Sequence, residues 1–318
     1  MTGHKLVSVI IPNYNHAKFL DQRITSVLNQ DYPAKELIIL DDCSTDESVQ
    51  EIGKFRLRNE VSHIVVNPVN SGSVFAQWQK GIELASGTYI WIAESDDYSD
   101  LSFLSTMVGL LEKREDTILA YSNSVRVDEN GREFEQLAAP DFTTAFGPDG
   151  FADAQAFCKS RLLRSNVIPN ASAVVFKKAF FHKKLLETAR RFRLAGDWVF
   201  WTQLLHQPGT VAYSPLPLNK YRFHSGTVRF SKGRERRKDH LLENIRAVVI
   251  NQEHIGLSEK EKQALKYGVI EKMISNWKQE QIGLDVKFLF TALSEIKKIT
   301  GDVYIAFIRT IAATLKSG

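Results

Sequence analysis

Residues 88–97 read TYIWIAESDD. Tyr89, Ile90, Trp91, Ile92 and Ala93 follow Gly87 as an apolar run rich in β-branched and aromatic side chains, the pattern of a buried strand. Glu94, Asp96 and Asp97 then arrive together. Acids clustered where a core strand reaches the surface repel one another unless a cation sits among them. Hard oxygen ligands at a strand end suit Mg2+ or Mn2+, and such an ion can hold a diphosphate. Acids after a strand also cap helices, and Ser99 or Asp100 stands before Leu101 in position to do so. The stretch alone leaves both readings open.

Upstream, Leu6 to Ile11 is a second apolar run, ended by Pro12 and followed by the turn Pro12-Asn13-Tyr14-Asn15-His16. A helix is predicted from about Ala17 to Gln30, with Phe19, Leu20, Ile24, Val27 and Leu28 on one face. Glu36 to Leu40 is a buried strand ending on Asp41-Asp42, and Ser44 to Glu47 has capping-box spacing before a helix over Glu47 to Arg58. His63 to Val66 reads as a strand, 67–73 as a loop and Val74 to Ala85 as a helix. Strand alternating with helix predicts an α/β fold, a mostly parallel sheet with helices on both faces. Ligands bind such sheets outside the carboxyl ends of the strands. Three of those ends carry Pro12-Asn13-Tyr14, Asp41-Asp42 and Ser95-Asp96-Asp97. The first turn, PNYNHA, has no glycine, which excludes the dinucleotide fingerprint, and no GxxxxGK[ST] occurs. Nucleotide binding, if present, must then rely on side chains and a metal.

Downstream, helix is predicted for Leu101 to Glu112 and strand for Thr117 to Val127, with a turn at Asp128-Glu129-Asn130-Gly131 leading into Arg132 to Leu137. Ala138 to Gly150 reads as a loop, Phe151 to Leu163 as helical, Ala173 to Phe176 as a strand and Lys177 to Arg191 as a basic helix. Asp197 opens a helix over Val199 to His206. It serves there as a first-turn acid or as a general base whose ionised form the helix dipole favours. Pro215 to Phe223 is extended and leads to His224, a metal ligand, a phosphate donor or an ordinary surface histidine. The charged run Lys232 to Lys238 is a solvated face or a lid over an anionic substrate. Strand signals stop near 238, and a second capping box lies at Ser258 to Glu261. The expected division is 1–238, with a nucleotide-binding part to about 100 and an acceptor part from about 101, and a helical region 239–318. The amphipathic helix Asp302 to Leu315 packs on the body, pairs two copies as a homodimer or lies peripherally on a membrane; packing is the simplest.

The 318 residues are 43% hydrophobic and 25% charged, ordinary for a globular protein. A net charge of +4 is too small to suggest a nucleic-acid partner. Cys43 and Cys158 give no disulfide framework, which predicts a reducing compartment. With no signal-peptide layout at the start and no uninterrupted apolar span, the expectation is cytoplasmic, at most peripheral on the inner face of the membrane.

The segments SVIIPNYNHAKFLDQRITSVLNQDYPAKELIILDDCSTDES, NSG…GIELASGTYIWIAESDD, AGDWVFW and YRFHSGTVR together resemble family-2 glycosyltransferases of the GT-A fold, in order and spacing, over roughly the first 230 residues. The resemblance implies a metal-dependent, inverting transferase that takes a nucleotide-sugar donor, usually a UDP-sugar, with Mn2+ or Mg2+. It further implies an acceptor hydroxyl on a glycan or lipid-linked glycan of surface polysaccharide biosynthesis. It implies that Pro12, Tyr14, Asn15, Asp41, Asp42, Asn70, Gly72, Asp96 and Arg222 bind the donor. Tyr14 would stack on the base and Asp42 hydrogen-bond it, with Asp41 in support. Asp97 and His224 would bind the metal, with Asp96 near the ribose or sugar, and Asp197 would take the acceptor proton. Gln77-Trp78-Gln79-Lys80 departs from an Arg-Asn pair common in relatives, and the QxxRW element of processive synthases is missing. A nucleotidyltransferase would need a glycine-rich basic turn where PNYNHA stands. An inactive sugar-nucleotide-binding or scaffold protein would have no need of Asp197.

Overall fold

The computed structural model describes residues 3–137, 145–224, 234–279 and 285–316. Part of the expected loop, 138–144, and residues 225–233, with the first two residues of the charged run, lie outside the described residues, while the rest of that run lies in α8. In chain order the elements are β1 (Val7–Asn13), α1 (Ala17–Leu28), β2 (Lys35–Asp41), α2 (Ser48–Gly53), β3 (Val61–Val66), α3 (Val74–Leu84), β4 (Tyr89–Ile92), β5 (Tyr98–Ser99), α4 (Phe103–Lys113), β6 (Thr117–Val127) and β7 (Glu133–Gln136). There follow β8 (Phe151–Asp153), α5 (Ala154–Phe157), β9 (Val174–Lys177), α6 (Lys184–Ala189), α7 (Gly196–Leu205), β10 (Thr210–Arg222), α8 (Arg234–His254), α9 (Glu259–Gln279), α10 (Val286–Lys297) and α11 (Tyr304–Lys316).

The strands form one sheet in the order β3-β2-β1-β4-β9-β6-β10-β5, with β7 on β6 and β8 on β10. Neighbours among β3, β2, β1 and β4 are parallel. β9 runs antiparallel to both β4 and β6, so β6 and its parallel neighbour β10 point the same way as β4. The long strands therefore send their carboxyl ends to one rim, as the βα alternation requires. Alternate residues feed two cores: Val7, Val9, Ile11, Tyr89 and Trp91 face α1, α2 and α4, while Ile10, Ile38, Ile90 and Ile92 face α3, α6, α7 and the C-terminal helices. Burial on both faces is why these strands read as unbroken apolar runs.

Several boundaries differ from expectation, each for a local reason. Pro12 does not end β1, which pairs with β2 through Asn13 and Asp41. The Ser44–Glu47 capping box does not form: the Ser44 hydroxyl donates to Asp41 Oδ2 (2.6 Å), and Asp46 accepts from the Ser48 amide instead. By contrast the expected capping bonds form at α9, the Ser258 amide donating to Glu261 Oε2 and the Glu261 amide to Ser258 Oγ. Phe151–Asp153 pairs as a strand with β10, and helix starts only where the Asp153 side chain accepts from the Ala156 amide. Lys177 belongs to β9, and only Lys184–Ala189 of the basic segment is α-helical. β10 runs unbroken through the assigned strand, yet its register on β6 jumps between Ser214 and Asn219. Pro215 and Pro217 lack the amide donors that pairing needs, and the chain bulges there.

Residue 238 falls inside α8 rather than between elements. Leu241 and Ile245 of α8, Ile270 of α9 and Leu293 of α10 share one hydrophobic cluster with Trp198 and Trp201 of α7. Lys238 itself is nearly enclosed and donates to Asp285 Oδ2 (2.5 Å) ahead of α10.

Candidate active site

The first turns of α3 join the strand ends together. Gln77 donates to Asp42 Oδ1 (2.8 Å) after β2, and the Trp78 indole N–H donates to Glu94 Oε1 (3.1 Å) after β4. The Trp78 ring packs on Phe200 and Trp201 of α7, and Phe75 lies against Gly196, where any Cβ would collide with the Phe75 ring and the Ala189 carbonyl. The residues that departed from the family pattern, Gln77 and Trp78, are thus the ones that tie the acidic loops to the helix carrying Asp197. Glu94 is pushed up to about 8 by burial and by the charges of Asp96 and Asp97.

Asp96 and Asp97 part company at the end of β4. The Asp97 amide bonds back to the Glu94 carbonyl (3.2 Å), and this turn rotates the Asp97 side chain inward. Only 2% of Asp97 is exposed; its carboxylate accepts from Asn170 Nδ2 (2.5 Å) and the Arg222 amide (2.9 Å), and Arg23 lies 4.0 Å away. Burial and then the Asp96 charge push it up to about 7. Asp96 keeps 19% of its side-chain area exposed and meets His224, with Oδ2 3.1 Å from Nε2. Burial would raise its pKa, but the His224 hydrogen bond and the charges of His16 and His224 hold it below the usual range. His16, from the β1–α1 turn, completes the group: one ligand atom each from His16, Asp96 and His224 lies within 4.8 Å of the others. Two imidazoles and a carboxylate are a donor set that fits a divalent metal ion. Asp97, expected on the metal, faces the protein interior, and Asp96 is the carboxylate beside His16 and His224.

Arg222, expected at the donor, spends its donors within the chain. Its Nε donates to the Asp96 carbonyl (2.7 Å), Nη1 to the carbonyls of Asp128 and Glu129, and Nη2 to Gln22 Oε1, while the guanidinium lies over Phe19 and Tyr98. With every donor nitrogen engaged and 1% exposure, it buttresses the Asp96 loop instead of reaching a diphosphate. Arg23 does the same from α1: Nε donates to the Glu94 carbonyl, Nη1 to Ser99 and Nη2 to Ser172. Sequence reading passed over Arg23, yet it stands between Phe19 and Val27 at four-residue spacing on the apolar face of α1, where a charge needs a buried partner.

At the β1 and β2 ends, Pro12 is buried and Tyr14 is 46% exposed beside it. Asn15 takes a left-handed backbone (φ 56°), which asparagine tolerates, and its Oδ1 accepts from the Thr45 amide (2.7 Å), so it ties the two loops together. Asp41 accepts from Asn13, from the Ser44 amide and from the Ser44 hydroxyl. Asp42 is 5% exposed and accepts from Asn67 and Gln77 as well as from the Ser71 amide and hydroxyl. Asn70 bridges the Asp42 carbonyl and the amide of Gly72, whose left-handed φ of 69° closes the turn. These acids already hold the loop that a base would enter.

Asp197 sits in the first turn of α7, with Oδ1 accepting from the Trp198 amide (2.7 Å) and Oδ2 from Asn166 Nδ2 (3.1 Å). Glu243 of α8 fixes the approach to that turn by accepting from the amides of Arg193, Leu194 and Ala195.

Comparison with known proteins bears on the family and the fold. Glycosyltransferase GlyG of Streptococcus pneumoniae serotype 4 is 27% identical over 198 residues, 59% of this chain and 62% of its own length. The poly(ribitol-phosphate) beta-N-acetylglucosaminyltransferase TarS of Staphylococcus aureus (strain Mu50) is 30% identical over 116 residues, 35% of this chain but 20% of its own length. The chain thus spans less than two thirds of either relative. The crystal structure of S. aureus TarS 1–349 in complex with UDP-GlcNAc superposes with a TM-score of 0.64 at 17% identity, covering 93% of this chain and 82% of that one, a likeness of fold. The family model described as Glycosyl transferase family 2 matches residues 8–188, more than half of the sequence. A parallel-sheet rim carrying these acids, together with that match, establishes that the chain belongs to glycosyl transferase family 2.

Proposed function

We propose that this protein is an inverting glycosyltransferase that moves a sugar from a nucleotide diphosphate sugar, uridine-based, to a hydroxyl of a glycan or lipid-linked glycan acceptor in surface polysaccharide synthesis. The observation that carries the reading is the His16–Asp96–His224 group at the strand rim, tied through α3 to the helix that presents Asp197. TarS, related in sequence and in fold, supports the choice of donor class.

Each residue has a defined task in this reading. Asp96 and His224 would hold a divalent ion, Mn2+ or Mg2+, which would neutralise charge growing on the departing diphosphate. Tyr14 presents an exposed ring for base stacking beside Pro12. Asp41, Asp42, Asn15, Asn70 and Gly72 shape the loops around the base. Asp97 and Arg222 set the Asp96 loop from behind. Asp197 takes the proton from the acceptor hydroxyl, its ionised form favoured by the α7 amino terminus and by Asn166. Inversion follows from a single in-line displacement with one base opposite the leaving group. The catalytic unit is read as extending beyond residue 238, because α8 sets the approach to Asp197. Among the described residues no helix is long and apolar enough to cross a membrane. Location on the cytoplasmic side, beside a lipid-linked acceptor, belongs to this proposal.

Calorimetric titration with UDP, with and without Mn2+, tests it directly. Binding strengthened by the ion is the expected result; weak binding indifferent to it overturns the metal-diphosphate reading. A panel of nucleotide sugars assayed for donor hydrolysis then identifies the sugar.

A further inference from the structure

We propose that His16 is a third protein ligand to the ion, so that the site is preformed, binds Mn2+ without nucleotide and discriminates against Mg2+. The inference rests on the glycosyltransferase reading for where the ion sits, and goes beyond it in the ligand count and in the metal chosen.

The three groups come from three parts of the sheet rim: the β1–α1 turn, the end of β4 and the end of β10. Their ligand atoms already lie within 4.8 Å of one another, and Asp96 Oδ2 is 3.1 Å from His224 Nε2. Bonds of about 2.0–2.2 Å to a first-row ion place adjacent ligand atoms roughly 3–4 Å apart, so small side-chain shifts close the site. The His16 ring is also held in place. Its Nδ1 lies 2.8 Å from Ser95 Oγ, and it makes edge-type ring contacts with Phe19 at a centroid distance of 6.1 Å and with His224 at 5.4 Å. Phe19 packs on His224 too, at 4.8 Å, so one aromatic side chain orients both imidazoles. A histidine fixed by a hydroxyl on one ring nitrogen is the arrangement that orients a metal-binding imidazole.

The consequence is a change in metal preference. A site of carboxylate, diphosphate and water oxygens suits Mg2+ as well as Mn2+; two imidazoles favour first-row transition ions, because Mg2+ prefers oxygen and gives up water reluctantly. Three protein ligands in place leave coordination positions for diphosphate oxygens while removing the need for them to hold the ion. His16 therefore makes metal binding precede donor binding.

The test titrates MnCl2 and MgCl2 into metal-free protein, with and without UDP, for the wild type and His16→Ala. The expected result is Mn2+ binding without UDP, weakened at least about tenfold in His16→Ala, with a smaller preference for Mn2+ over Mg2+ in the variant. Electron spin-echo spectroscopy of the Mn2+-loaded wild type needs no variant and is expected to show two inequivalent imidazole nitrogens. If Mn2+ binds only with UDP, equally well in both proteins, and couples to a single imidazole, His16 is not a ligand and the proposal is overturned while the glycosyltransferase reading stands. If no ion binds even with UDP, both fall.

Discussion

At the scale of single residues, neighbouring acids with the same formal charge take opposite roles because one turn separates their environments. Asp96 keeps an exposed edge toward two imidazoles, and Asp97 is sealed against Asn170 and Arg222. Glu94, the third, has the clearest pH signature. Its native pKa of about 8 stands above the 4.5 of a free glutamate, because burial and two nearby carboxylates oppose its charge. Between those values the folded protein holds a proton that the unfolded chain has released, so stability falls as pH rises through that window and levels off above it. Glu94→Gln removes this dependence. In metal-free protein the melting temperature of the variant, relative to wild type, is expected to climb from about pH 5 to about pH 8 and then stay level; a gap independent of pH would mean that Glu94 is ionised throughout. For Asp197, replacement by Asn keeps the shape and the Trp198 bond but removes the base. UDP affinity should be unchanged in calorimetry while kcat falls at least about a hundredfold. An active variant would move the base elsewhere.

At the scale of elements, α1 and α3 position the rim from opposite faces of the sheet. α1 inserts Arg23 beneath the acids, where its guanidinium, lowered to about 10 by burial, lies 4.0 Å from Asp97. Arg23→Met leaves Asp97 buried without a cation and the Glu94 carbonyl without its donor. A loss of about 3–5 kcal/mol in urea unfolding is expected, with metal affinity reduced in what remains folded. A loss below about 1 kcal/mol would show that the pair is solvated. How legible this was in the sequence depends on the range of each interaction. Buried parallel strands and their acidic ends could be read because strand periodicity is local and both sheet faces are covered. Arg23 was readable from its place between Phe19 and Val27. Asp97 was expected on the metal and Asp96 near the ribose or sugar; the turn from Glu94 to Asp97 decides which carboxylate faces out, and strand periodicity does not reach that far. His16 left no local mark, because its partners are Asp96 and His224, far away along the chain. The Ser44–Glu47 capping box failed for a related reason: the Ser44 hydroxyl is already engaged, donating to Asp41 and accepting from the Asn15 amide.

At the scale of the whole molecule, the helices beyond residue 238 pack on the helix that carries Asp197. α8 contributes apolar side chains to the cluster around Trp198 and, through Glu243, accepts three amides ahead of Asp197. A chain cut after residue 238 would expose that face of α7 and leave those amides unpaired. The shortened protein is expected to be insoluble or to bind a hydrophobic dye, while the full chain melts in one cooperative transition. A soluble fragment 1–238 with native circular dichroism and full UDP binding would show instead that the two regions fold separately.

The indole of Trp78 offers a different kind of access to this chemistry. Its N–H rests on Glu94, two residues before Asp96, and its ring lies 6.0 Å from Trp201. An ion arriving at Asp96 must change the electric field at that chromophore, so the protein carries its own optical gauge of occupancy. Stepwise addition of Mn2+ should move the tryptophan emission maximum, and Trp78→Phe should silence most of that response.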